Sequence, residues 1–336
     1  MIQVLNHSSR AIKNFPMGDP HDRKLHVYLP PTYDPKRSET YPVVFYLVGW
    51  GGRGSKLLYE DGVFSWNFET EVTRAIIEKR IPEMIVAFPD GSSRLGSSQY
   101  INSPSLGNYM DYICDELVGF IDENFRTSAS ANERILMGHS SGGFGALQIA
   151  MERPEVFSIV NSSAGDCFFE VSLLPSLHPA MIEIEAAGGI QKFLDYFFAR
   201  PNPGSQGFRK LSCLMTLSLA ACYAPNPKQG PLFGDLFFDT RSGQIIDEIW
   251  ERYQQWDPLI KAEKYKENLK KIKLILLDCG LQDEYASQWG QRQLTNKLLS
   301  FGAKVDTFEY KAGHSGNHWR FQERIERMIP YLGKSQ

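Results

Sequence analysis

Short β-branched and aromatic segments alternate along this chain with longer segments of helical periodicity. Strands that alternate with helices favour a mostly parallel sheet with helices on both faces. The predicted strands are Lys24 to Leu29, Val43 to Val48, Met84 to Phe88, Ile135 to Gly138, Phe157 to Asn161, Leu274 to Leu277 and Val305 to Tyr310. The predicted helices are Trp66 to Lys79, Tyr109 to Asn124, Gly143 to Met151, Tyr285 to Ser300 and Arg320 to Ile329. The pattern therefore predicts an α/β fold.

The alternation breaks between Asp166 and Lys271, where aromatic residues cluster and the loops are rich in proline and glycine. Helical patterns recur there at Ile190 to Ala199 and at Ile245 to Trp256. We predict a mainly helical cap at residues 166–271, inserted into a core formed by residues 1–165 and 272–336. The cap leaves the sheet at the edge where open α/β sheets bind ligands. We therefore expect it to roof the site and to narrow the pocket.

A strand, a sharp turn and a helix are predicted in succession between Arg134 and Leu147. The turn reads Gly138-His-Ser-Ser-Gly142, which fits the nucleophile elbow G-x-S-x-G. Glycine is required on both sides of the serine because a larger side chain would collide with the neighbouring strand or helix. This context predicts Ser140 as the nucleophile of an α/β-hydrolase fold. The alternative interpretation is a glycine-rich turn with a purely structural role.

Histidines downstream of Ser140 are candidates for the base that activates it, since the acid and the base follow the nucleophile in this fold. His178 falls in the predicted cap, whereas His314 and His318 share a loop after the strand that ends at Tyr310. We predict His314 as the base; for His318 we favour a surface or helix-capping role. The two residues lack the glutamate of the H-E-x-x-H motif, so no metal site is predicted.

Three carboxylates follow the strand that ends at Leu277, and they compete for the role of the acid. Asp278 stands at the strand end, where it could cap the turn. Asp283 and Glu284 lie beyond Gly280, in a loop that can reach a histidine. We predict Asp283, with Glu284 as the alternative.

An oxyanion hole needs two backbone amides, one from the residue after the nucleophile and one from a loop after an earlier strand. Ser141 provides the first. The strand Val43 to Val48 leads into a glycine-rich turn that contains Trp50, whose amide is our candidate for the second. The alternative for Trp50 is a tight turn with a buried indole.

These residues resemble the esterase family that includes S-formylglutathione hydrolases, feruloyl esterase domains, enterochelin-type esterases and mycolyltransferases. The likeness covers nearly the whole chain; it rests on Leu29 to Tyr33, Val44 to Gly49, Phe88 to Gly91, Gly138 to Ala146, Asp278 to Asp283 and Gly313 to Trp319. In that family a tryptophan or similar aromatic residue follows shortly after the histidine, which matches His314 and Trp319. The resemblance also implies that Tyr100 lines the pocket. The family often has His-Gly where this chain has Val48-Gly49, although a backbone amide can serve there.

The composition sets limits on partners and compartment. With 36 basic and 39 acidic residues among 336, nothing favours nucleic acid or an anionic membrane as a partner. The five cysteines are scattered and form no C-x-x-C pair, which is typical of reduced thiols in the cytoplasm. No segment approaches the length of a membrane-spanning helix. The sequence does not set the oligomeric state, and a homo-oligomer is compatible with it.

The sequence therefore predicts a serine carboxylesterase that hydrolyses small short-acyl or aryl esters through Ser140, His314 and Asp283. No cofactor or metal is required for this mechanism. Two alternatives stay open, an acyltransferase of the same fold and a non-catalytic binding relative. The motifs do not define the natural ester, because relatives on one fold process different groups.

Overall fold

A computed structural model describes residues 1–36, 38–58 and 66–333. Its strands are β1 (Ile2–Ser8), β2 (Asp22–Tyr28), β3 (Val43–Leu47), β4 (Ile85–Phe88), β5 (Asn102–Ser103), β6 (Gly107–Asn108), β7 (Arg134–His139), β8 (Ile159–Ser163), β9 (Leu274–Gly280) and β10 (Val305–Tyr310). Eight of them form one sheet in the order β1-β2-β4-β3-β7-β8-β9-β10, and β5 pairs with β6 in a small hairpin.

The central part of the sheet is parallel, from β4 through β3, β7, β8 and β9 to β10. Strand β2 runs antiparallel to both β1 and β4. Parallel strands place their carboxyl ends at one edge of the sheet, where ligands bind in open α/β folds. The mostly parallel α/β architecture predicted from the alternating pattern is confirmed.

Strand β1 was not predicted from the sequence. It lies at the edge of the sheet, and its residues are either half-buried or exposed. An edge strand with one solvated side carries a weaker apolar pattern than the buried central strands do.

The helices are α1 (Phe68–Ile77), α2 (Tyr109–Asp111), α3 (Val118–Asn124), α4 (Ser141–Glu152), α5 (Phe169–Ser172), α6 (Leu177–Ala187), α7 (Ile190–Phe198), α8 (Phe208–Tyr223), α9 (Asp247–Gln254), α10 (Pro258–Lys261), α11 (Lys266–Leu269), α12 (Ser287–Ser300) and α13 (Phe321–Met328). A π-helical turn, Tyr112–Leu117, joins α2 to α3. Two apolar clusters cover the two faces of the sheet, since alternate residues of each strand point to opposite sides. Helices α1 and α13 contribute to one cluster, and α3, α4 and α12 contribute to the other.

The segment between β8 and β9 contains helices α5 to α11. Its buried aromatic residues, among them Phe169 and Tyr223, belong to the same apolar cluster as Phe144 of α4. Two contacts fix α8 to loops of the sheet: the Trp50 indole N–H donates to Ser218 Oγ at 3.1 Å, and Ser103 Oγ donates to the Ala221 carbonyl at 2.6 Å. The insert therefore packs continuously on the core. Its boundaries as a separate domain stay a prediction.

A buried ion pair ties α13 to the end of β9. The Arg324 guanidinium donates to both carboxylate oxygens of Asp278, with distances of 2.8 to 3.0 Å, and both side chains are almost fully buried. Asp278 also accepts hydrogen bonds from Asn161, Ser163 and Tyr310. All the acceptor capacity of this carboxylate is thus used within the core, so Asp278 has a structural role.

Candidate active site

Ser140 stands at the turn between β7 and α4, near the centre of the carboxyl edge of the sheet. Its backbone has φ 56° and ψ −122°, a strained region for a residue with a side chain. The Ser140 N–H donates to the Ser163 carbonyl at 2.9 Å, which holds the turn. A Cβ atom at Gly138 would collide with the Gly142 carbonyl, and one at Gly142 would collide with the Leu47 carbonyl. The spacing of the two glycines is therefore a steric requirement of this turn.

His314 connects Ser140 to Asp283 through its two ring nitrogens. The Nδ1 atom lies 2.8 Å from Asp283 Oδ2, and the Nε2 atom lies 2.9 Å from Ser140 Oγ. A carboxylate can only accept hydrogen bonds, so Nδ1 holds the proton and Nε2 is free to accept the serine proton. The Asp283 side chain is fully buried, and its other oxygen accepts the Tyr285 N–H at 2.8 Å. This is the geometry that a nucleophile, a base and an orienting acid require.

The two rival candidates occupy supporting positions. Glu284 Oε2 accepts the backbone N–H of His314 at 2.7 Å, so this carboxylate fixes the loop and does not contact the imidazole nitrogens. His318 places its Nδ1 3.3 Å from the Tyr46 hydroxyl. The chain thus brings Ser140, His314 and Asp283 together, and it directs Glu284 and His318 elsewhere.

Two further imidazoles lie close to His314. The ring of His139 is centred 5.0 Å from that of His314 and 5.3 Å from that of His318. Burial lowers the pKa of His139 well below its usual value and lowers the pKa of His318 to about 3. Both rings are therefore neutral near neutral pH, and they add no positive charge against an imidazolium that forms at His314.

The amides proposed for the oxyanion hole flank Ser140. Ser141 is the first residue of α4, a position whose N–H has no partner within the helix. In the part of the chain that the structure describes, no acceptor contacts the Trp50 N–H. Gly49, Trp50 and Ser141 all line the same cavity as Ser140. The Trp50 indole packs near Gly96 and bonds to α8, and the oxyanion role of its amide stays a prediction.

The cavity above Ser140 measures about 140 Å³, and its walls come from the core and from the insert. Tyr100 does not line it, in contrast to the prediction from the sequence. That side chain is fully buried beneath the site, and its hydroxyl donates to the Val48 carbonyl at 2.9 Å. Gln99, its neighbour, faces the cavity instead, and Asp166 joins it from the loop after β8. Neither residue was predicted from the sequence as part of the site. For Asp166 a signal was available, since it is an acidic residue just past the end of a central strand.

The described ranges contain no group of three histidine, cysteine, aspartate or glutamate side chains arranged to hold a metal ion. Within the same ranges, no helix combines the length and apolar character needed to span a membrane. All five cysteines are buried free thiols.

The sheet topology and the elbow at Ser140 define a protein of the α/β-hydrolase class. The profile of the family described as "Putative esterase" matches residues 19–329, which is most of the chain. The chain therefore belongs to this esterase family, and the family resemblance read from the sequence is confirmed.

Curated relatives match parts of the chain. The endo-1,4-beta-xylanase/feruloyl esterase of Xylanibacter ruminicola is 28% identical over 138 residues, which cover 39% of this chain and 18% of that protein. The uncharacterized protein YbbA of Bacillus subtilis is 22% identical over 161 residues, which cover 44% of this chain and 59% of that protein. The matched region thus spans only part of each relative.

Solved structures share the fold over almost the full length. A ferulic acid esterase superimposes with a TM-score of 0.60 at 15% identity, covering 99% of this chain and 97% of that one. The fluorophosphonate-binding serine hydrolase F of Staphylococcus aureus gives 0.59 at 15% identity, with coverage of 100% and 99%. An S-formylglutathione hydrolase from Agrobacterium tumefaciens gives 0.55 at 18% identity, with coverage of 99% and 96%. These similarities establish the α/β-hydrolase fold.

Proposed function

We propose that this protein is a serine carboxylesterase that hydrolyses small esters through an acyl-enzyme intermediate. The observation that carries the proposal is the unbroken hydrogen-bonded chain from Ser140 through His314 to Asp283 at the wall of a cavity. Membership of the esterase family supports the same reaction class. The modest volume of the cavity favours short acyl or small aryl groups over long chains.

In the first half of the reaction, Ser140 Oγ attacks the ester carbonyl carbon while His314 Nε2 takes the serine proton. The carbonyl oxygen becomes an oxyanion, which the amides of Trp50 and Ser141 stabilise. Asp283 stabilises the imidazolium. The C–O bond to the alcohol then breaks, and the alcohol leaves with the proton from His314.

In the second half, a water molecule attacks the acyl-enzyme and gives one proton to His314. The new tetrahedral intermediate expels Ser140, which recovers that proton, and the carboxylic acid is released. An alcohol in place of water would make the protein an acyltransferase; product analysis with added alcohols distinguishes the two. The five free thiols support a reducing compartment, and a cytoplasmic location stays a proposal.

The decisive experiment compares Ser140→Ala with the wild type. We expect kcat for 4-nitrophenyl acetate to fall at least about 10⁴-fold, because the covalent route is lost while binding and oxyanion stabilisation persist. Labelling by a fluorophosphonate probe should disappear as well. The decanoate ester should be a poorer substrate than the acetate for the wild-type protein.

Ser300→Ala is the matched control, since Ser300 is exposed at the end of α12 and bonds only to its own helix. It makes the same chemical change away from the cavity and should keep both labelling and turnover. Near wild-type turnover in Ser140→Ala would refute the proposed nucleophile. Absence of labelling in the folded wild-type protein would favour the non-catalytic alternative.

A further inference from the structure

Asp166, Gln99 and Ser172 are among the polar side chains that line the cavity beside Ser140 and make no side-chain hydrogen bond in the described part of the chain. The Asp166 carboxylate is half-buried and makes no hydrogen bond within the described residues. The side-chain oxygens of Gln99 and Ser172 are buried and make no hydrogen bond. Buried polar groups are nearly always satisfied, so each unsatisfied group in a native structure requires an explanation.

Asp166 lies in the loop after β8, on the side of the cavity near His314 and Tyr285. Burial raises the pKa of Asp166 to about 6; the His314 imidazole acts against this shift, and the carboxylates of Asp283 and Asp257 add to it. The protein therefore holds this carboxyl group in an environment that disfavours its charge. Keeping a carboxyl group in such an environment costs folding free energy. Such a cost is typical of functional sites, where a ligand supplies the missing partner.

Gln99 approaches the same cavity from the loop before β5. Its side chain is 1% exposed, and its backbone has φ 54°, a left-handed conformation that is uncommon for a residue with a side chain. The next residue, Tyr100, also has a positive φ and is anchored through its hydroxyl to the Val48 carbonyl. The loop thus holds Gln99 in the cavity wall from a fixed backbone.

Ser172 completes the set from the end of α5, and it contrasts with its neighbours on the insert. Thr216 Oγ1 donates to Ser176 Oγ at 3.1 Å, and Ser176 Oγ donates to the Leu173 carbonyl at 2.6 Å. Those two hydroxyls are satisfied within the protein. The Ser172 hydroxyl, by contrast, is buried and has no hydrogen-bond partner in the described part of the chain.

We propose that Asp166, Gln99 and Ser172 form a specificity subsite for a hydroxyl group on the ester, so that the preferred substrates are small hydroxylated esters. This inference rests on the proposed carboxylesterase function and names its substrate class. A hydroxyl both donates and accepts hydrogen bonds, so it can donate to the carboxylate while it accepts from the amide or from Ser172. An apolar substrate would leave all three groups without a hydrogen-bond partner.

A neutral hydroxyl fits the charges of the cavity better than an ammonium group does. Lys56 lines the same cavity, and its ammonium lies within electrostatic range of His139 and His318. A cationic substrate would gain from Asp166 but would meet the positive charge of Lys56. The cavity therefore contains one acidic and one basic group, Asp166 and Lys56, and this combination suits a neutral, polar ligand.

The test uses ester pairs that exchange a hydroxyl for a methyl group on either side of the ester bond. Methyl 3-hydroxybutanoate is compared with methyl 3-methylbutanoate, and 2-hydroxyethyl acetate with propyl acetate. We expect the wild type to prefer the hydroxylated member of at least one pair by about tenfold or more in kcat/KM, because a site built to bond a hydroxyl rejects the analogue that lacks it. Acid release at constant pH measures all four rates.

The variants Asp166→Leu and Gln99→Met should each lower this preference, because an apolar side chain offers the hydroxyl no hydrogen bond. For Asp166→Leu we expect the preference to fall by about tenfold or more. The ratio within a pair reports recognition, since a merely structural defect would reduce both rates together. Asp247→Leu is the matched control, because Asp247 is exposed on α9 and does not line the cavity. Its preference should equal that of the wild type.

Equal rates within both wild-type pairs would overturn the subsite and leave the carboxylesterase proposal intact. Preference for 2-(dimethylamino)ethyl acetate would assign a cation site instead and would also overturn it. A loss of both rates in parallel in Asp166→Leu and Gln99→Met would show that these residues support the fold and would overturn the subsite. Failure to hydrolyse any ester, together with no fluorophosphonate labelling, would refute the proposed function and the subsite with it.

Discussion

Replacing Asp283 by asparagine changes one oxygen of the candidate triad and tests the role of that residue directly. In the native structure, Asp283 Oδ1 accepts the Tyr285 N–H and Oδ2 accepts from His314 Nδ1, at 2.8 Å each. An asparagine has only one oxygen, and the Tyr285 N–H keeps that oxygen at the Oδ1 position. The amide NH₂ then faces His314 Nδ1, which must accept, so the imidazole proton moves to Nε2.

A proton on Nε2 prevents His314 from accepting the proton of Ser140. We therefore expect Asp283→Asn to lower kcat by roughly 10³ to 10⁴-fold, which corresponds to about 4 to 5.5 kcal/mol of transition-state stabilisation. Glu284→Gln is the matched control, since it makes the same change at the adjacent position. The Gln oxygen can still accept the His314 backbone N–H, so this variant should lose less than about tenfold.

The assay is steady-state hydrolysis of 4-nitrophenyl acetate at neutral pH, together with thermal unfolding of each variant. Both variants should unfold within a few degrees of the wild type, so that the rates report chemistry. A loss of less than about tenfold in Asp283→Asn would refute the assignment of the acid. The reverse ranking of the two variants would move that role to Glu284.

Two predictions concern stability. Arg324→Met should lower the free energy of unfolding by about 3 to 5 kcal/mol in urea titrations, because it leaves the buried Asp278 carboxylate unpaired. Arg327→Met is the control: it breaks a more exposed pair with Asp306 and should cost less than about 1 kcal/mol. Equal losses in the two variants would contradict the argument. Because burial raises the pKa of Asp166 from 3.8 to about 6, the stability that this group contributes is present below pH 4 and declines as the pH rises towards 6. Asp166→Asn should therefore be more stable than the wild type at pH 8, by at most about 3 kcal/mol, and the gain should shrink at pH 4. A variant that is less stable than the wild type at pH 8 would refute this account of Asp166.

The sequence by itself was sufficient for the α/β class and for the position of Ser140. Buried parallel strands carry continuous apolar runs, and the elbow is a local feature whose glycines are dictated by contacts within a few residues and one neighbouring strand. The order of nucleophile, acid and base along the chain also led to His314 and Asp283, which the fold brings within hydrogen-bond distance. Such patterns depend mainly on residues that are close together in the chain, so they can be recognised without the tertiary structure.

Helix α8 shows where a local pattern fails. Its residues from Ser212 to Tyr223 are buried almost continuously, and they mix small polar with apolar side chains. A helix that is buried on all sides has no solvent face, so it lacks the amphipathic periodicity by which helices are recognised in a sequence. Only its docking on the core reveals it.

Only the tertiary structure shows which side chains of the loops contact His314 and which line the cavity. Asp283 and Glu284 are adjacent in the sequence, but one turns to the imidazole and the other to the backbone of the same histidine. Gln99 lines the cavity while Tyr100 does not, and the tyrosine hydroxyl bonds to the Val48 carbonyl. Asp166 lies in the same wall as side chains of α5 and α8. Such choices are set by contacts between residues far apart in the chain, and composition or spacing does not encode them locally.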